Sequence, residues 1–226
     1  MRTRYWHHYL FIPLAILAIA LWSINLFNLD FKFASFLYHL QGDQWVLKDY
    51  WLLEDVLHTG ARKVLTAFAV ILLMLWLFSG KYSIAYIERS ALGYLILTAI
   101  LSVITIALLK KITQIDCPWN IQSFGGDLLY FSTYQNRPVS YPSVNCFPAG
   151  HASSGYAWLG VFYLLKRYAP IYRYHGLALV LLLGVVLGAT QQLRGAHFLS
   201  HDIWTLAICW FIASIFSPLI ATRPKA

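Results

Sequence analysis

Charge is scarce in this chain: Asp, Glu, Lys and Arg make up 12% of its 226 residues, against about 25% in an ordinary soluble domain. A soluble fold of this size could not hide the apolar surface that remains, which excludes the ordinary water-soluble classes. Acids are the scarcer sign, nine against 17 Lys and Arg, and the formal net charge is +8. The basic residues stand at the ends of apolar runs rather than in one patch, so a nucleic-acid partner has no support. Cysteine is limited to three residues, and no Cys/His spacing suits a structural zinc site. Internal repeats and low-complexity tracts are lacking. No small-residue cleavage site follows the first apolar run, which therefore reads as an uncleaved span rather than a signal peptide.

What is present is apolar: 59% of residues are hydrophobic and 17% aromatic, with a mean hydropathy of +0.60. About 20 apolar residues cross a bilayer as a helix. Six runs read as spans, at about residues 9–29, 64–78, 91–109, 149–165, 176–193 and 201–220. The expected fold is all-α, a polytopic membrane protein with six transmembrane helices and a single embedded domain over residues 1–226. Residues 30–61 interleave Trp45, Tyr50 and Trp51 with Asp43, Lys48, Asp49, Glu54 and Asp55. That pattern fits an amphipathic interfacial stretch or a loop with a short surface helix. Residues 112–147 form a loop too long to be a mere connector. Trp119, Phe124, Tyr130, Phe131, Tyr134 and Tyr141 argue that it is an ordered lid.

Three polar clusters lie at the ends of apolar runs. One holds Lys110 and Lys111, one holds Gly150 and His151, and one holds Arg194, His197, His201 and Asp202. Six spans place all three on one side. The opposite side, with both termini, carries nine Lys and Arg against one acid; the cluster side carries eight of each. Setting Lys110, Lys111 and Arg194 aside as site residues sharpens the bias, and the positive side faces the cytoplasm. The reading is a multi-pass protein of a bacterial inner membrane, with cytoplasmic termini and a periplasmic site.

Polar groups at a membrane boundary are costly and usually functional. Two or three cations, several histidines and a carboxylate suit phosphoryl chemistry, which needs charge around equatorial oxygens, in-line attack and a proton for the leaving oxygen. A histidine can attack phosphorus if its other nitrogen is held. A second histidine can protonate the leaving group. The turn at Gly150 offers backbone N–H groups to an anion. Taken singly, a lone interfacial histidine is more often a packing residue, and terminal lysines usually snorkel. Their conjunction on one face points to a site.

The clusters resemble the three motifs of the type 2 phosphatidic acid phosphatase superfamily: Lys-x6-Arg-Pro, Pro-Ser-Gly-His and Ser-Arg-x5-His-x3-Asp. Lys110-x6-Cys117-Pro118 matches the first with Cys for Arg, and Pro148-Ala149-Gly150-His151 matches the second with Ala for Ser. In the third, Thr190-Gln191 stands where Ser-Arg belongs, and Asp202 follows His197 at a spacing of His-x4-Asp. The resemblance covers about the last 120 residues and implies that family's helical bundle core. It implies His197 as nucleophile, Asp202 as its orienter and His151 as general acid and later base. Lys110 or Lys111, Arg194 and the Gly150 backbone would bind phosphate, without a metal or other cofactor.

His201 is the rival of Asp202, or a second phosphate ligand; only a carboxylate opposes a developing imidazolium by charge, which favours Asp202. If Ser200 caps the sixth helix, His197 precedes it. Arg137-Pro138 could supply the guanidinium missing from the first motif. Cys117 and Cys146 flank the first two motifs, as a disulfide in an oxidising compartment or as free thiols. The expected activity is hydrolysis of a phosphate monoester or pyrophosphate on a membrane lipid. Alternatives are lipid-to-lipid phosphotransfer at the same site, or a non-catalytic lipid-binding or transport role. The oligomeric state is not encoded in any motif.

Overall fold

Backbone polar groups in hydrocarbon must be satisfied within their own segment, so long apolar runs are obliged to be helical. The computed structural model describes residues 5–78, 89–132, 135, 138, 141 and 144–221. Among these there is no strand, only one isolated bridge between Ile121 and Leu128. A π-helical turn, His7–Phe11, leads into α1 (Ile12–Leu26). Asn28 then adopts the left-handed conformation at φ 51°, which asparagine tolerates, and turns the chain into α2 (Leu29–Leu40). A π-helical stretch, Leu52–Gly60, runs unbroken into α3 (Ala61–Phe78). α4 (Arg89–Thr113) is followed by a long connection with short helical turns at Pro118–Asn120 and Gln122–Phe124. Then come α5 (Gly150–Tyr156), α6 (Gly160–Tyr168), α7 (Arg173–Leu193), α8 (Leu199–Phe216) and α9 (Pro218–Ala221).

Five helical segments among the described residues are long and apolar enough to cross a membrane: His7–Leu26, Leu52–Phe78, Arg89–Asn120, Pro170–Leu193 and Leu199–Ile220. The expected fourth span is helical but does not join them. Its start is small and polar, with His151, Ser153 and Ser154, and a tight turn at Ala157–Leu159 divides it into α5 and α6. The second span begins earlier than composition suggests. Glu54 and His58 belong to its first turns, not to a surface stretch. Residues 79–88, Tyr134 and Arg137 lie outside the described residues.

α3 carries no buried residue, and Phe11 just before α1 and Ile16 and Trp22 along it are also exposed. Apolar faces of this extent fit a bilayer as solvent. The core lies among α4 to α8, around Tyr94, Leu159, Phe162 and Trp210. Two of its hydroxyls are paired: Tyr94 Oη donates to the Ala213 carbonyl at 2.7 Å, and Tyr163 Oη meets Ser214 Oγ at 2.7 Å. α5 and α7 cross where Gly155 faces Gly184; a Cβ on Gly155 would stand 2.6 Å from the Gly184 backbone. Small residues permit this approach where no water drives helices together. Two aromatics of the long loop are seated rather than free. Phe124 and Tyr130 pack against Phe31, Tyr38 and Trp45 near the ends of α2, and Tyr130 meets Phe198.

Candidate active site

The site is built from helix ends. α7 is closed by a double backbone hydrogen bond, from Gly195 N–H to Gln192 O at 3.0 Å and from Ala196 N–H to Gln191 O at 2.8 Å. That closure requires a left-handed residue. Gly195 supplies it at φ +75°, and a Cβ there would also lie 2.5 Å from the Trp45 ring. Gln41 Nε2 donates to the Leu193 carbonyl at 2.9 Å, and Trp119 N–H donates to Gly195 O at 3.0 Å. Arg194 is thereby fixed at the end of α7, with His197 just beyond.

α8 has no side-chain cap of its own. Instead Asp30 of α2 accepts the Ser200 N–H at 2.8 Å, a carboxylate at the positive end of a helix. Burial pushes the Asp30 carboxyl above the ordinary carboxylate range, while its hydrogen bonds from Ser200 oppose the shift. Ser200 is therefore not the cap, and His197 precedes the helix. Cys117 and Cys146 are joined in a disulfide with their Cα atoms 5.3 Å apart. It ties the segment after α4 to the one before α5.

These ends enclose a cavity of about 460 Å³ whose wall includes Lys110, Gly150, His151, Arg194 and His197. The Lys110 amine lies against Gly150, where a Cβ would stand 3.3 Å from Nζ. Lys111 is exposed and absent from the wall. Arg194 donates from Nε to the Lys48 carbonyl at 2.6 Å and from Nη1 to Gln191 Oε1 at 3.1 Å; its Nη2 pairs with the Glu54 carboxylate. Glu54 also meets His58 Nδ1 at 3.2 Å, and the His58 and His151 rings touch edge to face at 4.7 Å. His151 Nε2 lies 2.9 Å from the Leu57 carbonyl. A carbonyl only accepts, so Nε2 carries a proton and Nδ1 is the nitrogen left to titrate.

His197 is in the cavity wall but only 7% exposed. Its Nδ1 lies 3.5 Å from His201 Nδ1. Burial first, then His201 and Lys110, hold the His197 pKa well below the ordinary histidine value. His201 is fully buried behind it, between the rings of Phe147 and Phe198. Asp202, expected as the partner of His197, is turned away. One residue along a helix rotates a side chain by about 100°. Asp202 therefore faces α7, where Gln192 Nε2 donates to its Oδ2. The place beside His197 belongs to His201.

Sequence reasoning did not assign Glu54, His58 and Arg62 to the site, yet all three line the cavity. Their four-residue spacing puts them on one helical face, and that spacing was the available signal.

A family model described as the PAP2 superfamily matches residues 91–225. The chain belongs to the PAP2 superfamily. The match starts in α4 and takes in every motif-bearing helix end, but not Glu54, His58 or Arg62. No curated protein and no solved structure matches the chain. Membership, with the five apolar helices, makes this a multi-pass membrane protein and supports a phosphatase-type activity.

Proposed function

We propose that this PAP2 protein hydrolyses a phosphate monoester or diphosphate on a membrane lipid through a phosphohistidine, at the extracytoplasmic face of a bacterial inner membrane. The observation that supports this best is the convergence of Lys110, His151, Arg194 and His197 from four helix ends on one cavity. Lys110 and Arg194 hold the equatorial oxygens, and Gly150 keeps the space beside Lys110 open. His197 presents the nitrogen opposite its His201-facing Nδ1. An N–P bond forms there as the P–O bond to the leaving group breaks, and the bonding pair stays on the leaving oxygen. Burial and His58 lower the His151 pKa to about 4, and the negative charge of the bound phosphate favours its protonation; His151 then gives that oxygen the Nδ1 proton. It then takes a proton from the water that attacks phosphorus, so the N–P bond breaks and phosphate departs. His201 holds the nucleophile's orientation.

The test is phosphate release by the purified protein in detergent from a panel of lipid phosphates, with chelator present. Wild type should release phosphate, and His197→Ala should lower the rate about 1,000-fold or more. Equal release by both proteins would remove His197 from the chemistry.

A further inference from the structure

We infer that the substrate is a lipid diphosphate, and that Arg62, beside His58 and Glu54, binds the phosphate that stays on the lipid. The inference rests on the phosphatase reading above and goes beyond it by naming the substrate class and its second subsite. Arg62, which also borders a hollow along α3, lies on the wall of both the polar cavity and a groove of about 400 Å³. The two spaces share Arg62, Gly150 and Ser154. Leu65 and Ala69 of α3 and Ile100 and Val103 of α4 give the groove apolar walls along two candidate spans. Its occupant is the hydrocarbon chain of the substrate, because its walls are apolar and it borders the headgroup cavity along shared residues.

That continuity orders the lipid. With the terminal phosphate at His197, Lys110 and Arg194, and the chain in the groove, the group joining them passes Arg62. A guanidinium there has no work with a neutral ester linkage. It matches the negative charge of a second phosphate, and the fixed donor fork suits its oxygens. His58 stands on the same face, one helical turn away, with its Nδ1 at Glu54.

The leaving-group chemistry points the same way. An alkoxide leaving from a monoester needs a full proton, and burial, with His58 beside it, lowers the His151 pKa to about 4, so that proton is scarce near neutral pH. From a diphosphate the leaving group is itself a phosphate. His197 forms the N–P bond to the terminal phosphorus, and the bond from that phosphorus to the bridging oxygen breaks. The electron pair stays with the bridging oxygen, which becomes a non-bridging oxygen of the lipid monophosphate beside Arg62. Water then attacks the phosphohistidine, the N–P bond breaks and inorganic phosphate is released. The developing charge calls for a cation, and Arg62 is one. This wall lies outside the family match at 91–225, so it belongs to this chain's own architecture and not to the three motifs.

The test compares kcat/KM for farnesyl diphosphate and farnesyl phosphate in wild type, Arg62→Gln and Arg62→Lys. The ratio of the two values is independent of the fraction folded. Wild type should prefer the diphosphate. Arg62→Gln should lower the diphosphate-to-monophosphate ratio about 10- to 100-fold, the scale of one lost charge-assisted hydrogen-bonding partner, and Arg62→Lys should recover part of it. A ratio unchanged in Arg62→Gln, or a wild type that prefers the monophosphate, overturns the diphosphate proposal and leaves the phosphatase reading standing. Release from neither lipid, nor from phosphatidate, overturns both.

Discussion

Glu54 closes an ion pair on Nη2 of Arg194, while Lys48 and Gln191 hold the other two nitrogens of that guanidinium. A carboxylate thus stands against one of the cations offered to phosphate. Removing its charge leaves Arg194 with two of its three holds, and a glutamine still gives His58 an acceptor. Glu54→Gln is expected to tighten inhibition by inorganic phosphate by several-fold to about tenfold, since a nearby opposing charge no longer competes for the anion. Competitive inhibition measured at fixed ionic strength checks this. Weaker inhibition would show that Glu54 serves Arg194 as a support and not as a competitor.

His201 and Asp202 make opposite predictions. His201 lies against His197, so His201→Ala should lower kcat about tenfold or more by freeing the nucleophile's ring. Asp202 is bonded to Gln192 across to α7. Asparagine keeps an acceptor for that bond, so Asp202→Asn should leave kcat within about threefold. Steady-state kinetics of the two variants decide between them, and the reverse ranking would restore the carboxylate to the relay.

The contrast shows what was legible in the chain. Long apolar runs and the polar residues at their ends are local features, so the helical membrane fold and the Lys110, His151 and His197 ends could be read directly. The choice between His201 and Asp202 could not. It depends on where α8 starts, and Asp30, 170 residues before Ser200, sets that start. Glu54 and His58 were hidden for another reason. Their charge made the head of a continuous helix resemble a surface stretch, and only packing against α7 turns that face into a site wall.

The Cys117–Cys146 bond should contribute to stability and to catalysis together. Its sequence separation of 29 corresponds to about 3.6 kcal/mol of loop-closure entropy removed from the unfolded chain. Both cysteines also line the cavity with His197. Reductant, or paired Cys117→Ser and Cys146→Ser changes, should lower both the apparent Tm in detergent and kcat. A drop in Tm with kcat unchanged would separate the staple from the site.

The acid side of the pH profile follows from His197. Its neutral form is the nucleophile, and burial, His201 and Lys110 depress its folded-state pKa. The rate limb assigned to it should therefore lie below the ordinary histidine value of about 6.5. Stability has the same sign. Above about 6.5 the residue is neutral folded and unfolded, and contributes nothing to pH dependence. As pH falls from there toward the folded value, only the unfolded chain takes up the proton, and this residue's contribution lowers stability. Lys110→Met removes one of the cations that depress the pKa, so it should move the limb upward, besides weakening phosphate binding. The ratio of wild-type to Lys110→Met kcat/KM across pH cancels the substrate's own ionisation. A ratio flat through the acid range would mean that Lys110 does not tune His197.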